Sequence, residues 1–315
     1  MSAGTTLQFA NGTFALSNGS SISGGEVLIS SGTVNVNGQS SIQNLRMTGG
    51  NLGGTGTLTT THIFTWTAGT LTGGGISVIP AGAHLVINGG VSLWQRTLNN
   101  KGTTTWSGAS DIGISNGSAF NNVAGALFEA QNDRLINTGQ YGGTFNNAGT
   151  FRKLIGVGDT TITSVTFNNS SVVQVQSGAL KLNGGGTSSG VFNVSSGALL
   201  DFTGSHNLSN ATFNGPGLTR HSSGNLALTG PVTAQQWHMT GGTLGGASTL
   251  TVTQNMTWTA GSWNDGGTTI IPVSANLVIN GSVSLWAHTL NNKGCLLYTS
   301  PSPRDRTRSR MPSSA

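Results

Sequence analysis

The residues able to do acid–base chemistry are few and scattered. Up to residue 294 the chain has seven carboxylates: Glu26, Asp111, Glu129, Asp133, Asp159, Asp201 and Asp265. A hydrolase or lyase acting on polysaccharide needs carboxylates clustered on one face, within reach of one bond. No two of these lie within three residues of each other. In a chain that coils about every 22–25 residues, Asp111 would stack one coil from Asp133, and Glu129, Asp133, Arg134 and Arg152 would share a face. The plainer reading of that group is scattered charge that keeps a nearly neutral surface soluble. Ala124–Gln140 departs from the smoothest pattern, as a side loop would, and function often sits in such loops.

The histidines add little. His62, His84, His206, His221, His238 and His288 show no H-x-H or HExxH spacing, so no zinc site is expected. Gly53-Gly54-Thr55-Gly56 runs into Thr57 and Leu58 without the aspartate of a calcium-binding nonapeptide. No phosphate-binding glycine loop opens a helix, and no serine sits in G-x-S-x-G before one. The chain is therefore expected to hold no catalytic residue, no metal and no cofactor.

Seven tryptophans remain. In T-W-T, Trp66 and Trp258 alternate with threonine, which favours the outer face, so both are expected inside. In V-S-L-W-x-x-T-L, Leu93 and Leu98 read as internal, leaving Trp94 and Trp286 as external candidates for stacking on sugar rings. Far apart along the chain, the pair would form a spaced array suited to multivalent weak binding.

These residues are positioned by a repeat. Met47–Gly102 matches Met239–Gly294 at 36 of 56 positions without a gap. The aligned histidine positions exchange polar for polar: His62 with Gln254, His84 with Asn276, Arg96 with His288. That exchange predicts solvent-facing sites. A shorter unit lies inside the long one: an apolar residue followed by two asparagines at Leu98, Phe120, Phe145 and Phe167, with degenerate forms at Phe192 and Phe213. Successive members of that series stand about 21–25 residues apart, too short a unit to bury a face alone, so each must stack on its neighbours.

Within a unit the segments read as short strands: EVLI at 26–29, TVNV at 33–36, HLVI at 84–87, VVQV at 172–175, ALKL at 179–182 and NLVI at 276–279. Several alternate apolar and polar residues, and Gly, Asn and Ser pairs separate them. No window shows a helical stripe, and fifty glycines suit corners. The fold expected is all-β: a parallel β-solenoid, right-handed, with about 22 residues per coil, about 13 coils, and a length on the order of 60 Å. Leu85, Ile87, Leu277 and Ile279 should point inward, and the asparagine pairs should form stacked amide ladders. Residues 1–192 form the first long repeat and residues 193–294 a partial second one.

Residues 295–315 break from this. They hold four arginines, three of the seven prolines, the only cysteine and no glycine. Back-translated, CLLYTSPSPRD at 295–305 resembles the end of a transposon-based sequencing adapter, so 295–315 is set apart as a non-native disordered tail. The whole chain is +5, but residues 1–294 keep nine Lys/Arg (13 − 4) and seven Asp/Glu (8 − 1), a net +2. That leaves no electrostatic footprint for nucleic acid. Without cysteine they form no disulfide framework and no thiolate site. No signal peptide follows Met1, and no apolar run is long enough for a transmembrane helix.

The phrases GTLTVT, GTFNNAGTF and SGALKLNGGG make residues 1–294 similar to filamentous haemagglutinin-like and autotransporter-type bacterial surface proteins. The resemblance implies an extracellular β-helix that projects from the cell, adheres or carries other modules, and meets surface glycans or a host or neighbouring cell. Secretion and anchoring signals are not among the matching features. Two other functions are weighed. One is a polysaccharide-binding or polysaccharide-degrading β-helix. The other is an ice-binding solenoid, for which Thr57/Thr59, Thr65/Thr67, Thr103/Thr105, Thr251/Thr253 and Thr257/Thr259 are candidate T-x-T pairs. Further coils of the same chain are the natural neighbours at each end. A protein ending in cut coils is expected to self-associate, and monodisperse monomers by light scattering at high concentration would refute that.

Overall fold

A computed structural model describes residues 1–298. These residues wind into a parallel β-solenoid of about 15 turns, with no helix among them and about 20 residues per turn. At one strand spacing per turn the rod is about 70 Å long. One coil shows the plan. Ala119–Asn122, Leu127–Ala130 and Leu135–Asn137 form its three sides. In the first two, every second residue is buried. The next coil repeats the three sides with Gly143–Asn147, Thr150–Lys153 and Asp159–Ile162. Alternation puts Phe120, Phe128 and Ile136 inside, while the corners take left-handed residues such as Gly125 and Gly142.

Coil length is not fixed. Gln39 pairs with Thr57 across a short coil, whereas Ala119 pairs with Thr144 across a long one. The asparagine motif samples the longer coils, and it also changes side. Leu98, Phe120, Phe145 and Phe167 stack on one side. Phe192 instead stacks on Val173, continuing the neighbouring side of Phe128 and Phe151, and Phe213 follows it. The two phenylalanine columns meet edge to face: Phe120 and Phe145 stack at 4.9 Å, and Phe128 meets Phe145 at 5.0 Å and 86°.

The asparagine ladders form, and there are two. Inside, Asn100, Asn122, Asn147 and Asn169 are buried, each Nδ2 donating to the next Oδ1 at 2.8–2.9 Å. Asn100, Asn122 and Asn147 also donate to the carbonyls of Leu127, Thr150 and Val172. Outside, half-buried, Asn168 donates to Asn146, Asn146 to Asn121, and Asn121 to Asn99, in the opposite axial direction. Replacing Asn122 by alanine strands the Asn147 Oδ1 and the Thr150 carbonyl. It is expected to cost about 2–4 kcal/mol, against less than about 1 kcal/mol for Asn121→Ala. The urea midpoint of the two variants measures the difference.

The two long repeats do not lie on the same side of the rod. Thr57–Thr60 stacks under Ile76–Ile79. Nine steps lead up that side, through the strands that hold residues 57, 76, 97, 119, 144, 166, 186, 206, 226 and 244. The equivalent strand of the second copy, beginning at Thr249, sits on Val232–Ala234 instead. Val232–Ala234 belongs to the side that holds Ile63, His84, Thr103 and Leu127. The repeat thus spans nine coils and one further side, turning the second copy by a third of a circle.

Ala124–Gln140 is not a side loop: it supplies two sides of a coil. At the other end, Cys295–Tyr298 pairs in register with Asn276–Ile279. These four residues continue the ladder rather than being disordered. The rest of the segment set apart as a tail, 299–315, lies outside the described residues.

Candidate functional site

Six of the seven carboxylates are held apart and occupied. Glu26 pairs with Arg46 at 3.0 Å, Glu129 with Arg152 at 3.2 Å and Asp201 with Arg220 at 2.6 Å, while Asp133 meets Lys153 and Asp159 meets Lys181. Each cation lies one coil along the rod from its acid. Glu129 and Arg152 do share a face, as register partners. Asp111 does not stack on Asp133. It accepts from the Leu135 N–H at 3.1 Å and the Asn137 amide at 3.3 Å. Asp133 turns to a corner, and Arg134 is exposed outside these pairs. Partial burial raises the Asp133 carboxyl, but Lys153 and the Gly158 N–H together hold it below the usual aspartate range. No group of three metal-ligating side chains occurs among the described residues.

Two cations are buried. Lys153 occupies an inward position, and its Nζ donates to the carbonyls of Asn132 and Ile155 at 2.7 Å besides Asp133. Arg96 is 1% exposed and has no carboxylate partner. Its Nε donates to Ser77 Oγ at 2.9 Å, Nη1 to the carbonyls of Gly53, Gly54 and Thr72 at 2.8–3.2 Å, and Nη2 to that of Ile76 at 3.2 Å. Burial lowers its pKa to about 10, so it stays charged at neutral pH. Gly75 is required beside it: a Cβ there would lie 2.4 Å from the Gly56 carbonyl and 2.8 Å from Arg96 Nη1.

The second copy builds the same cage around His288, which is also buried. Its Nε2 lies 3.0 Å from Thr269 Oγ1, the counterpart of Ser77, and its Nδ1 3.4 Å from the Asn264 carbonyl, the counterpart of Thr72. Gly267 stands where Gly75 does, with a Cβ there 2.9 Å from His288 Cε1. The smaller histidine is accompanied by a larger neighbour: Leu71 becomes Trp263, whose ring lies 5.4 Å from His288. The exchange of Arg96 with His288 is therefore an interior one, contrary to the expectation of a solvent-facing site. His206 and His221 are interior too. Outward placement holds for His62, which meets Asn44, and for half-buried His84, which meets Thr105.

Trp66 and Trp258 point inward as expected, as do Trp106, Trp237 and Trp263. Trp94 is outward and half-buried, and Trp286 is 76% exposed. They do not share a side. Leu93, next to Trp94, stacks on Leu71 and Ile114, whereas Leu285, next to Trp286, stacks on Trp263, in line with Leu244 and Leu226. A single linear array of the two is excluded by that third of a turn. Two open clefts lie at the two ends of the strand that carries Trp94, which itself lines neither. One, about 420 Å³, is lined by Thr70, Gly90, Ser92, Asp111, Gly113 and Asn137 among others. The second, about 550 Å³, is lined by Gly73, Gly74, Gln95, Arg96, Thr97 and Asn116 among others.

The outward threonine columns are broken. Thr65 is followed by Val86, Thr105 and then Glu129, and Thr251 by Ile270. A flat hydroxyl stripe therefore does not run along this rod. No protein-family model, curated protein or solved structure matches the chain.

Proposed function

We propose that this chain is part of an extracellular stalk of a bacterial surface protein, of the filamentous haemagglutinin-like or autotransporter-type kind. It holds distance from the cell, displays surface contacts for adhesion, and does no chemistry itself. One observation carries the reading: no two consecutive strands among the described residues are joined by more than five residues. The chain is spent on axial continuity, with no long loops to wall a pocket. The pairing of five carboxylates with cations one coil away fits the same reading, since it leaves no free acid pair for bond cleavage. Antibodies raised against the rod are expected to stain intact cells of the source organism. Staining that requires permeabilised cells would sink the proposal. Residues 295–315 differ from the rod in composition although 295–298 continue its ladder, and sequencing the locus from unfragmented DNA decides whether they are encoded there.

A further inference from the structure

We infer that Trp94 and the two clefts beside it form a binding site for an extended neutral oligosaccharide. The strand Val91–Trp94 carries Ser92 and Trp94 outward. Residues just before Trp94 line one cleft and residues just after it line the other, so Trp94, which lines neither, stands along the chain between two polar depressions. Both are open and shallow, the wrong shape to enclose a small molecule and the right one to take a chain laid across the rod. An indole face is electron-rich and apolar, and packs against the C–H face of a sugar ring. The groups around it are those that pair with hydroxyls: the Asp111 carboxylate, the Asn137 amide, Thr70 and Ser92 on one side, Gln95 and Asn116 on the other.

The other polymer ligands fit worse. Arg96 is the one cation in the lining, and its N–H groups are directed at four carbonyls and a hydroxyl, so no phosphate clamp exists for nucleic acid. A peptide strand needs an unpaired sheet edge, and Val91–Trp94 is paired on both sides. The cleft floor includes Gly113, where a Cβ would meet nothing closer than 3.6 Å. A side chain there is sterically allowed and would fill the floor.

The test is affinity electrophoresis of the full chain through gels holding, in turn, soluble neutral β-1,3-glucan, β-1,4-mannan, xylan, hydroxyethyl cellulose and glycol chitin. At least one polymer is expected to retard the chain. Trp94→Ala should weaken that retardation about tenfold, the scale expected for loss of a central aromatic anchor. Trp94→Tyr should keep most of it, and Gly113→Leu should block it with the thermal midpoint unchanged. Retardation by none of the five overturns the inference. So does an equal loss with Trp286→Ala, or retardation that survives both Trp94→Ala and Gly113→Leu. None of these results bears on whether the rod is a surface stalk, which the antibody experiment reads separately.

Discussion

Replacing Arg96 by methionine is expected to destabilise the first long repeat by about 3 kcal/mol, although the new side chain is apolar and of similar length. Methionine fills the volume but donates nothing. It leaves Ser77 Oγ and the carbonyls of Gly53, Gly54, Thr72 and Ile76 without their donor. Each stranded acceptor costs about 1 kcal/mol or more, and relief from dehydrating the guanidinium returns part of the sum. In a solenoid the loss is local, because each coil contacts only its neighbours. Amide exchange should therefore accelerate in the coils from Gly53 to Thr97 and stay unchanged near the second copy. The chain also contains its own control. Arg96→His alone should be nearly as damaging, whereas Leu71→Trp with Arg96→His reproduces the pairing of Trp263 with His288 and should recover at least half of the loss. No difference between single and double variants would show that the two positions are not coupled.

Lowering the pH from 7 to 4 is expected to remove about 3 kcal/mol through His206 alone. Its imidazole is buried beside Phe202, at 5.2 Å, and only the Phe167 backbone partly offsets its burial. Burial lowers its pKa from 6.5 to about 4. The unfolded chain thus takes up the proton first as pH falls through 6.5, and the folded one follows only near 4. Stability is present in full above 6.5 and is lost across that window, about 2 kcal/mol of it by pH 5. Burial also lowers His221, His238 and His288, all in the same sense. Urea unfolding at pH 7, 6, 5 and 4 should show the decline, and His206→Leu should flatten it. An unchanged slope in that variant would place the acid sensitivity elsewhere.

Much of the scaffold is legible in the residues. Period-two alternation in HLVI and NLVI marks Leu85, Ile87, Leu277 and Ile279 as interior; the first three are buried, and Ile279 is half-buried against the core. The asparagine pairs mark ladders because amides stack wherever equal positions align. What alternation does not carry is coil length. Because coils differ in length along the rod, Phe192 looks like the next member of Phe167's series and in fact stands over Val173. Arg96 and Lys153 escape for a different reason. A long cationic side chain at an inward position reads as a solvent group unless the carbonyls that receive it are known, and these lie up to two coils away. One signal is available: within the otherwise matching VSLW-x-x-TLNNKG, Arg96 changes to His288 together with Leu71 to Trp263. A correlated change in size is the mark of a shared interior. The site around Trp94 is only half legible, since its outward direction follows from alternation but its clefts come from the adjoining coils.

The third of a circle between the copies bears on how such a rod would be met by another surface. Whatever the repeat displays, its two copies display along two compass bearings about 120° apart, as steps do on a spiral stair. A partner approaching from one direction can engage one copy squarely and the other only obliquely. Strength therefore does not accumulate along a line, but the rod presents something to bind whichever way it has rolled. For an object standing free in solvent, indifference to rolling counts for more than alignment.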